Sequence, residues 1–141
     1  MKKVIIDTNI LLSFLTDRNL AQQDTAAKIF NDAAALKKEI LCQQEVLSEF
    51  VYVLDTVYKV SKEDIHELLA EFMKLPGVEI IANFNLDVVL QLWPEHVADY
   101  GDAVIAALCK KTKKTSIATF DQKFIKELER IGIPVHDSFH H

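Results

Sequence analysis

The order of apolar runs along this chain predicts an α/β domain built on a central parallel sheet of four to five strands. Three observations predict it. Short β-branched runs alternate with longer stretches of helical pattern from one end to the other. Gly and Pro number only three each in 141 residues, so loops should be short and regular structure dense. Half of the residues are apolar, enough for a real core, and no linker, repeat or low-complexity segment divides the chain; residues 1–141 read as a single domain.

The elements follow in order. KKVIID (2–7) reads as a strand, rich in β-branched residues and closing on a carboxylate. Residues 9–16 read as a short helix, and the alanine-rich 21–38 as a longer one. EILC (39–42) is a second strand. In 43–59, Val46, Phe50, Val53, Leu54 and Val57 share one helical face. SKED (61–64) has the form of a capping box and opens a helix to about Lys74. Pro76-Gly77 breaks the chain before a third strand, VEIIA (78–82). Residues 86–98 are helical, with an interruption expected at Pro94, and a further helix spans Asp102 to Lys111. TSIAT (115–119) is a fourth strand and 121–131 a helix that Gly132 stops. IPVH (133–136) is a candidate fifth strand.

The opening strand poses the chemical question. An aliphatic run normally goes inside, and an unpaired charge there is costly. Asp7 therefore needs compensation: a helix start, a positive partner or a metal. In parallel α/β sheets, ligands bind beyond the carboxyl ends of the strands. Asp7 ends the first strand and Asp121 follows the fourth, so both can face one crevice. Each acid also has an ordinary reading as a helix cap: Asp7 or Asn9 for the first helix, Asp102 for AVIAALCKK, Asp121 for QKFIKELERI. Glu49 fits that reading least. It lies inside a helix, at the border of the apolar arc, and caps nothing.

The residues VIIDTNILL (Asp7, Thr8, Asn9), SEFVYVL (Glu49), YGDAVIAA (Asp102) and IATFDQKF (Thr119, Asp121) together resemble the PIN-domain nucleases. The likeness is strongest to the VapC-type toxins of toxin–antitoxin pairs. It covers essentially the whole chain. It implies a three-layer α/β/α fold and a Mg²⁺- or Mn²⁺-dependent endoribonuclease, with Asp7, Glu49, Asp102 and Asp121 as the catalytic and metal-holding acids. Asp7 and Asp102 are the implied direct ligands. Asp99, one helical turn before Asp102, is an added acid acting through water. Thr8, Asn9 and Thr119 are implied to position carboxylates or waters. The resemblance also implies an RNA substrate, products with a 5′-phosphate and a 3′-hydroxyl, a homodimer and a cognate antitoxin. Residues 9–15 and 43–74 offer apolar helical surface for such partners.

The implied chemistry suits these residue types. Mg²⁺ takes oxygen ligands and keeps several waters. Phosphodiester cleavage needs an activated water and stabilised oxygen charge, and bound cations supply both. Two bare carboxylates 5 Å apart repel by about 3 kcal/mol at an effective dielectric near 20. A cation turns that repulsion into affinity.

Composition restricts the alternatives. The net charge of −5 does not favour a broad nucleic-acid surface. Four acids gathered in one cation site would leave the remainder near −1, so any RNA grip is local. Cys42 and Cys109 are far apart and form no CxxC pair, which fits a reducing compartment. No apolar run has the length of a membrane span, and Asp7 and Asn9 interrupt the signal-like amino terminus; a cytoplasmic location and no membrane partner are expected. KKTKK (110–114) reads as a solvated helix end. No histidine falls in an HExxH spacing. His96 reads as a surface residue, and His140 and His141 as native end or tag. Trp93 and Phe14 read as core. A receiver domain would need an adjacent acidic pair after its first strand and a dehalogenase-type phosphatase a DxD, where DTN supplies one acid. A PIN-domain ribonuclease that is not a toxin and a catalytically silent PIN-like binding module are the remaining alternatives.

Overall fold

The computed structural model describes residues 1–139; His140 and His141 lie outside the described residues. The elements are β1 (Lys2–Ile6), α1 (Thr8–Leu15), α2 (Leu20–Ala34), β2 (Lys38–Gln43), α3 (Gln44–Thr56) and α4 (Lys62–Phe72). They continue with β3 (Val78–Ile81), α5 (Leu86–Leu92), α6 (Tyr100–Lys111), β4 (Thr115–Ala118) and α7 (Gln122–Arg130), before a 3₁₀ turn at Asp137–Phe139.

All strand pairs are parallel, in the order β3-β2-β1-β4. The connections from β1 to β2 to β3 all step the same way, so right-handed crossovers put α1–α4 on one face. The step from β3 back to β4 puts α5 and α6 on the other, and α6 packs on β1 and β4. Three layers result. Val4, Ile5 and Ile6 of β1 are buried without alternation, as a central strand covered on both faces requires.

The chain leaves β1 toward one face and β4 toward the other. The carboxyl ends of these adjacent strands therefore border the topological switch point, where such sheets open a crevice. Register fixes what lies there. Ile5 pairs with Leu41, and Ile6 with Ala118. Extended by one or two residues, the same register sets Asp7 between Gln43 and Thr119 in one row.

Four boundaries differ from the sequence expectation. The alanine-rich helix ends at Ala34, and Leu36 turns the chain at φ 60° into β2, which starts at Lys38. The helix expected over 86–98 ends at Leu92, because Trp93 is extended before Pro94, as residues preceding proline prefer. The helix expected from Asp102 begins at Tyr100, with Asp99 as its cap. The fifth strand does not form among the described residues. Val135 makes a single parallel bridge to Ile117. Pro134 has no N–H to extend the ladder, and the following 3₁₀ turn carries Phe139 to Phe120, with ring centroids 5.0 Å apart.

Gly77 is required where it stands. It adopts φ +77°, and a Cβ there would come within 2.8 Å of the Ala33 carbonyl oxygen. Its own carbonyl receives Ile40 N–H at 2.7 Å, which ties the entry of β3 to β2. Phe14 stacks flat on Phe30 at 3.9 Å and packs against the core, as expected. Trp93 is half-buried against the core, and its indole N–H donates to Ala98 O at 3.0 Å, bracing the loop before α6.

Candidate active site

A crevice of about 160 Å³ opens at the switch point. Its lining includes Asp7, Thr8, Asn9, Glu49, Asp99, Asp102 and Asp121, contributed by four segments remote in sequence. Thr119, the eighth residue expected at the site, lies directly behind Asp7.

Asp7 is 5% exposed. It caps α1: Oδ1 accepts Ile10 N–H at 2.9 Å. Oδ2 accepts the Thr119 hydroxyl at 2.5 Å. One residue therefore both caps α1 and lines the crevice. Thr119 Oγ1 in turn accepts Asp121 N–H at 3.1 Å, so one buried hydroxyl joins the ends of β1 and β4. Asp121 caps α7, with Oδ1 accepting from Lys123 N and Phe124 N. Thr8 donates its hydroxyl to Glu49 Oε2 at 3.1 Å and aims α3 at the crevice. Asn9 is exposed on the rim, and its carbonyl receives Arg18 Nη2 at 3.1 Å.

At α6 the sequence expectation is reversed. Asp99, not Asp102, is the cap: its Oδ1 accepts Asp102 N–H at 2.9 Å. That leaves the Asp102 carboxylate, in the first turn, for the crevice. Gly101 makes room for this, since a Cβ there would stand 3.2 Å from Asp99 Oδ1.

The acids feel one another. Burial lifts the Asp7 carboxyl from its ordinary 3.8 to about 6; the bonds from Thr119 and Ile10 oppose the rise, while Asp121 and Glu49 add to it. Burial lifts Asp102 to about 8, and Asp99, Asp7, Asp121 and Glu127 push in the same direction. Among the described residues, none of the six acids lining the crevice, Glu45 included, is in an ion pair. Nor are any three gathered closely enough, as they stand, to chelate a metal. Like charges hold apart until something neutralises them.

Sequence reasoning missed four residues. Gln43, at the end of β2, is buried, and among the described residues neither its Oε1 nor the buried Oε2 of Glu45 has a hydrogen-bond partner. Leaving a buried acceptor unsatisfied costs about 1–3 kcal/mol. The signal for Glu45 was its position one turn before Glu49 on the same helix. The signal for Gln43 was absent, because the β1–β2 register cannot be read from one chain. Glu127, on α7, accepts Ala98 N–H at 3.0 Å and holds the loop that delivers Asp99. Arg18 lies in a second depression that shares Asn9 and Asp121 with the crevice and adds Tyr58 and Phe120. Its guanidinium bonds Ser13 and Asn9 and forms no ion pair among the described residues.

The donor set fits a divalent cation. It is all oxygen, mostly carboxylate, lacks a basic partner and includes orphaned buried acceptors. His96 is exposed and lines a different depression with Lys110 and Gly132. Lys110 and Lys111 close α6 at its carboxyl end, as expected of a solvated helix end.

Residues 4–129 match the PIN domain. The chain belongs to the PIN-domain family. A VapC ribonuclease of Aquifex aeolicus (strain VF5) is 25% identical over 131 residues, covering 86% of this chain and 90% of that protein. The VapC20 toxin of Mycobacterium tuberculosis, described as cleaving the sarcin–ricin loop, superposes with a TM-score of 0.65 at 17% identity, over 87% of this chain and 93% of the toxin. VapBC2 of Rickettsia felis, solved with a DNA fragment from its promoter, gives 0.64 at 19% identity, over 94% and 96%. The Utp24 PIN-domain endonuclease gives 0.55 at 18% identity, over 94% and 82%. Similarity to a VapC ribonuclease and the shared fold agree with the resemblance drawn from the motifs. Among the described residues no helix is long and apolar enough to cross a membrane.

Proposed function

We propose that this PIN domain is a Mg²⁺- or Mn²⁺-dependent endoribonuclease and the toxin of a toxin–antitoxin pair. The observation that carries the reading is the convergence of six acids, without a basic partner among the described residues, on the switch-point crevice.

Asp7, Asp102 and Asp121 would hold the cation, directly or through water, with Glu49 and Asp99 in support. When bound, the cation neutralises the carboxylates and stabilises negative charge on the phosphoryl group. The chain's own residues do the rest. Thr119 and the start of α1 fix both oxygens of Asp7, so its orientation is set before substrate arrives. Thr8 occupies one oxygen of Glu49 and leaves the other to accept a proton from the attacking water. The water oxygen bonds to phosphorus, the bond to the 3′-oxygen breaks, and that oxygen takes up a proton from solvent. The products carry a 5′-phosphate and a 3′-hydroxyl. Arg18, without an ion pair among the described residues and beside Tyr58 and Phe120, offers a local grip for a phosphate and an unstacked base. A local grip of this kind suits a chain of net charge −5.

The VapBC2 likeness supports an antitoxin partner, and the family resemblance a homodimer. Residues 10–13 of α1 are buried in the monomer and unavailable to either. Tyr52, Val57, Tyr58 and Met73 of the α3–α4 region stay exposed and are the apolar surface left for a protein partner.

Asp7→Asn tests the assignment cleanly, because asparagine caps helices as well as aspartate does. Expression of the wild type should arrest growth and yield RNA fragments with 5′-phosphates; the variant should do neither while folding normally. Equal cleavage by the variant would remove the assignment.

A further inference from the structure

The nuclease reading uses the acids at one side of the crevice and leaves its β2 wall without a role. Gln43 ends β2 in the same row as Asp7 and is 1% exposed. Its Nε2 donates to the Val104 carbonyl at 3.4 Å, so the amide oxygen is the end left over, and nothing among the described residues donates to it. Glu45, in the first turn of α3, buries an Oε2 with no donor either. Both residues line the crevice, and among the described residues no lysine, arginine or histidine does. Two buried acceptors in one crevice wall that lack donors among the described residues call for a positive partner.

We propose that Gln43 Oε1 and Glu45 Oε2 bind the divalent cation of this crevice, extending its ligand set beyond the acids of the nuclease motifs. The inference rests on the reading of the crevice as a cation site. Amide carbonyl and carboxylate oxygens are both suited to hard divalent ions. The placement follows from the fold: the β1–β2 register sets Gln43 beside Asp7, and one helical turn separates Glu45 from Glu49.

The test is Mn²⁺ binding by calorimetry, with thermal melting of the metal-free protein, for the wild type, Gln43→Met, Glu45→Gln and Asp102→Asn. Gln43→Met and Glu45→Gln should each weaken Mn²⁺ binding about tenfold. The metal-free melting temperature of Glu45→Gln should be unchanged or raised, because an unpartnered charge has been neutralised. Gln43→Met also loses the bond from Nε2 to the Val104 carbonyl, so only its Mn²⁺ affinity bears on the inference. A wall satisfied by solvent gives the opposite pattern. Unchanged Mn²⁺ affinity in both variants, or a lowered metal-free melting temperature in Glu45→Gln, overturns the inference. Asp102→Asn separates the two levels. If it weakens Mn²⁺ binding and the other two variants do not, the cation site stands and the role of Gln43 and Glu45 falls. If the wild type takes up no Mn²⁺, or Asp102→Asn binds it as the wild type does, both fall.

Discussion

The two ends of the sheet treat charge in opposite ways. Around the starts of β1 and β2, Lys3 pairs with Glu39 and Lys38 with Asp32, each at 3.8 Å, and Lys38 Nζ lies 2.7 Å from His136 Nε2. Around the carboxyl ends, Asp7, Glu49, Asp99, Asp102 and Asp121 share a crevice without an ion pair among the described residues. The same strands carry both ends, so the difference is not one of scaffold. One end is arranged for stability. The other accumulates repulsion that the fold tolerates, as sites that bind cations and phosphates do.

The largest break in this comparison is Asp7→Asn. Loss of a carboxylate proposed to hold the metal should remove several kcal/mol of transition-state stabilisation, hence cleavage should fall by about a thousandfold or more. Melting should stay close to wild type, since the cap survives. Rates on a labelled RNA, beside a melting curve, check both halves.

Thr119→Val comes next. It strips one hydroxyl from both Asp7 and the Asp121 backbone, in a fully buried position. Stability should drop by about 1–3 kcal/mol in denaturant unfolding. Cleavage should fall too, because Asp7 loses its orientation.

The pH dependence sharpens the contrast. The Asp102 carboxyl is raised from 3.8 to about 8 and Asp7 to about 6. A carboxyl raised on folding contributes stability that is full below its unfolded pKa and is lost as pH climbs through the folded one. The metal-free protein should therefore lose melting temperature between about pH 4 and pH 8. Asp102→Asn should flatten most of that slope, and Mn²⁺ should restore the wild type at pH 8. A metal-free melting temperature that rises over this range would contradict the account.

The smallest expected effect is at the far end of α6. Lys111 stands nine residues beyond Asp102, about 13 Å along the helix axis. Lys113→Glu, just past that helix end, should leave the cleavage rate within about twofold of wild type, since exposed charges beyond a Debye length are largely screened.

Much of this was legible in the sequence, and for physical reasons. β-branched runs that stop on Asp7 and Thr119 announce strand ends, and ligand sites in parallel sheets lie there. Glu49 stood out because a helix-interior acid at the apolar border has no capping role. What was not legible depends on packing. Asp99 and Asp102 both preceded a helix, and only the backbone shows that Gly101 gives Asp99 the room to cap, which frees Asp102. Gln43 owes its place to a register set by pairing across more than thirty residues. IPVH had the composition of a strand, but Pro134 lacks the donor and Phe139 draws the chain away after one bridge. The helix expected to reach 98 stopped at Leu92 because Pro94 fixes the backbone before it.

The most direct measurement is anomalous diffraction from crystals of the wild-type protein grown with Mn²⁺. The account predicts a strong peak in the switch-point crevice, in contact with the carboxylates of Asp7 and Asp102. Crystals with no peak there, while Mn²⁺ occupies sites elsewhere on the surface, would contradict it.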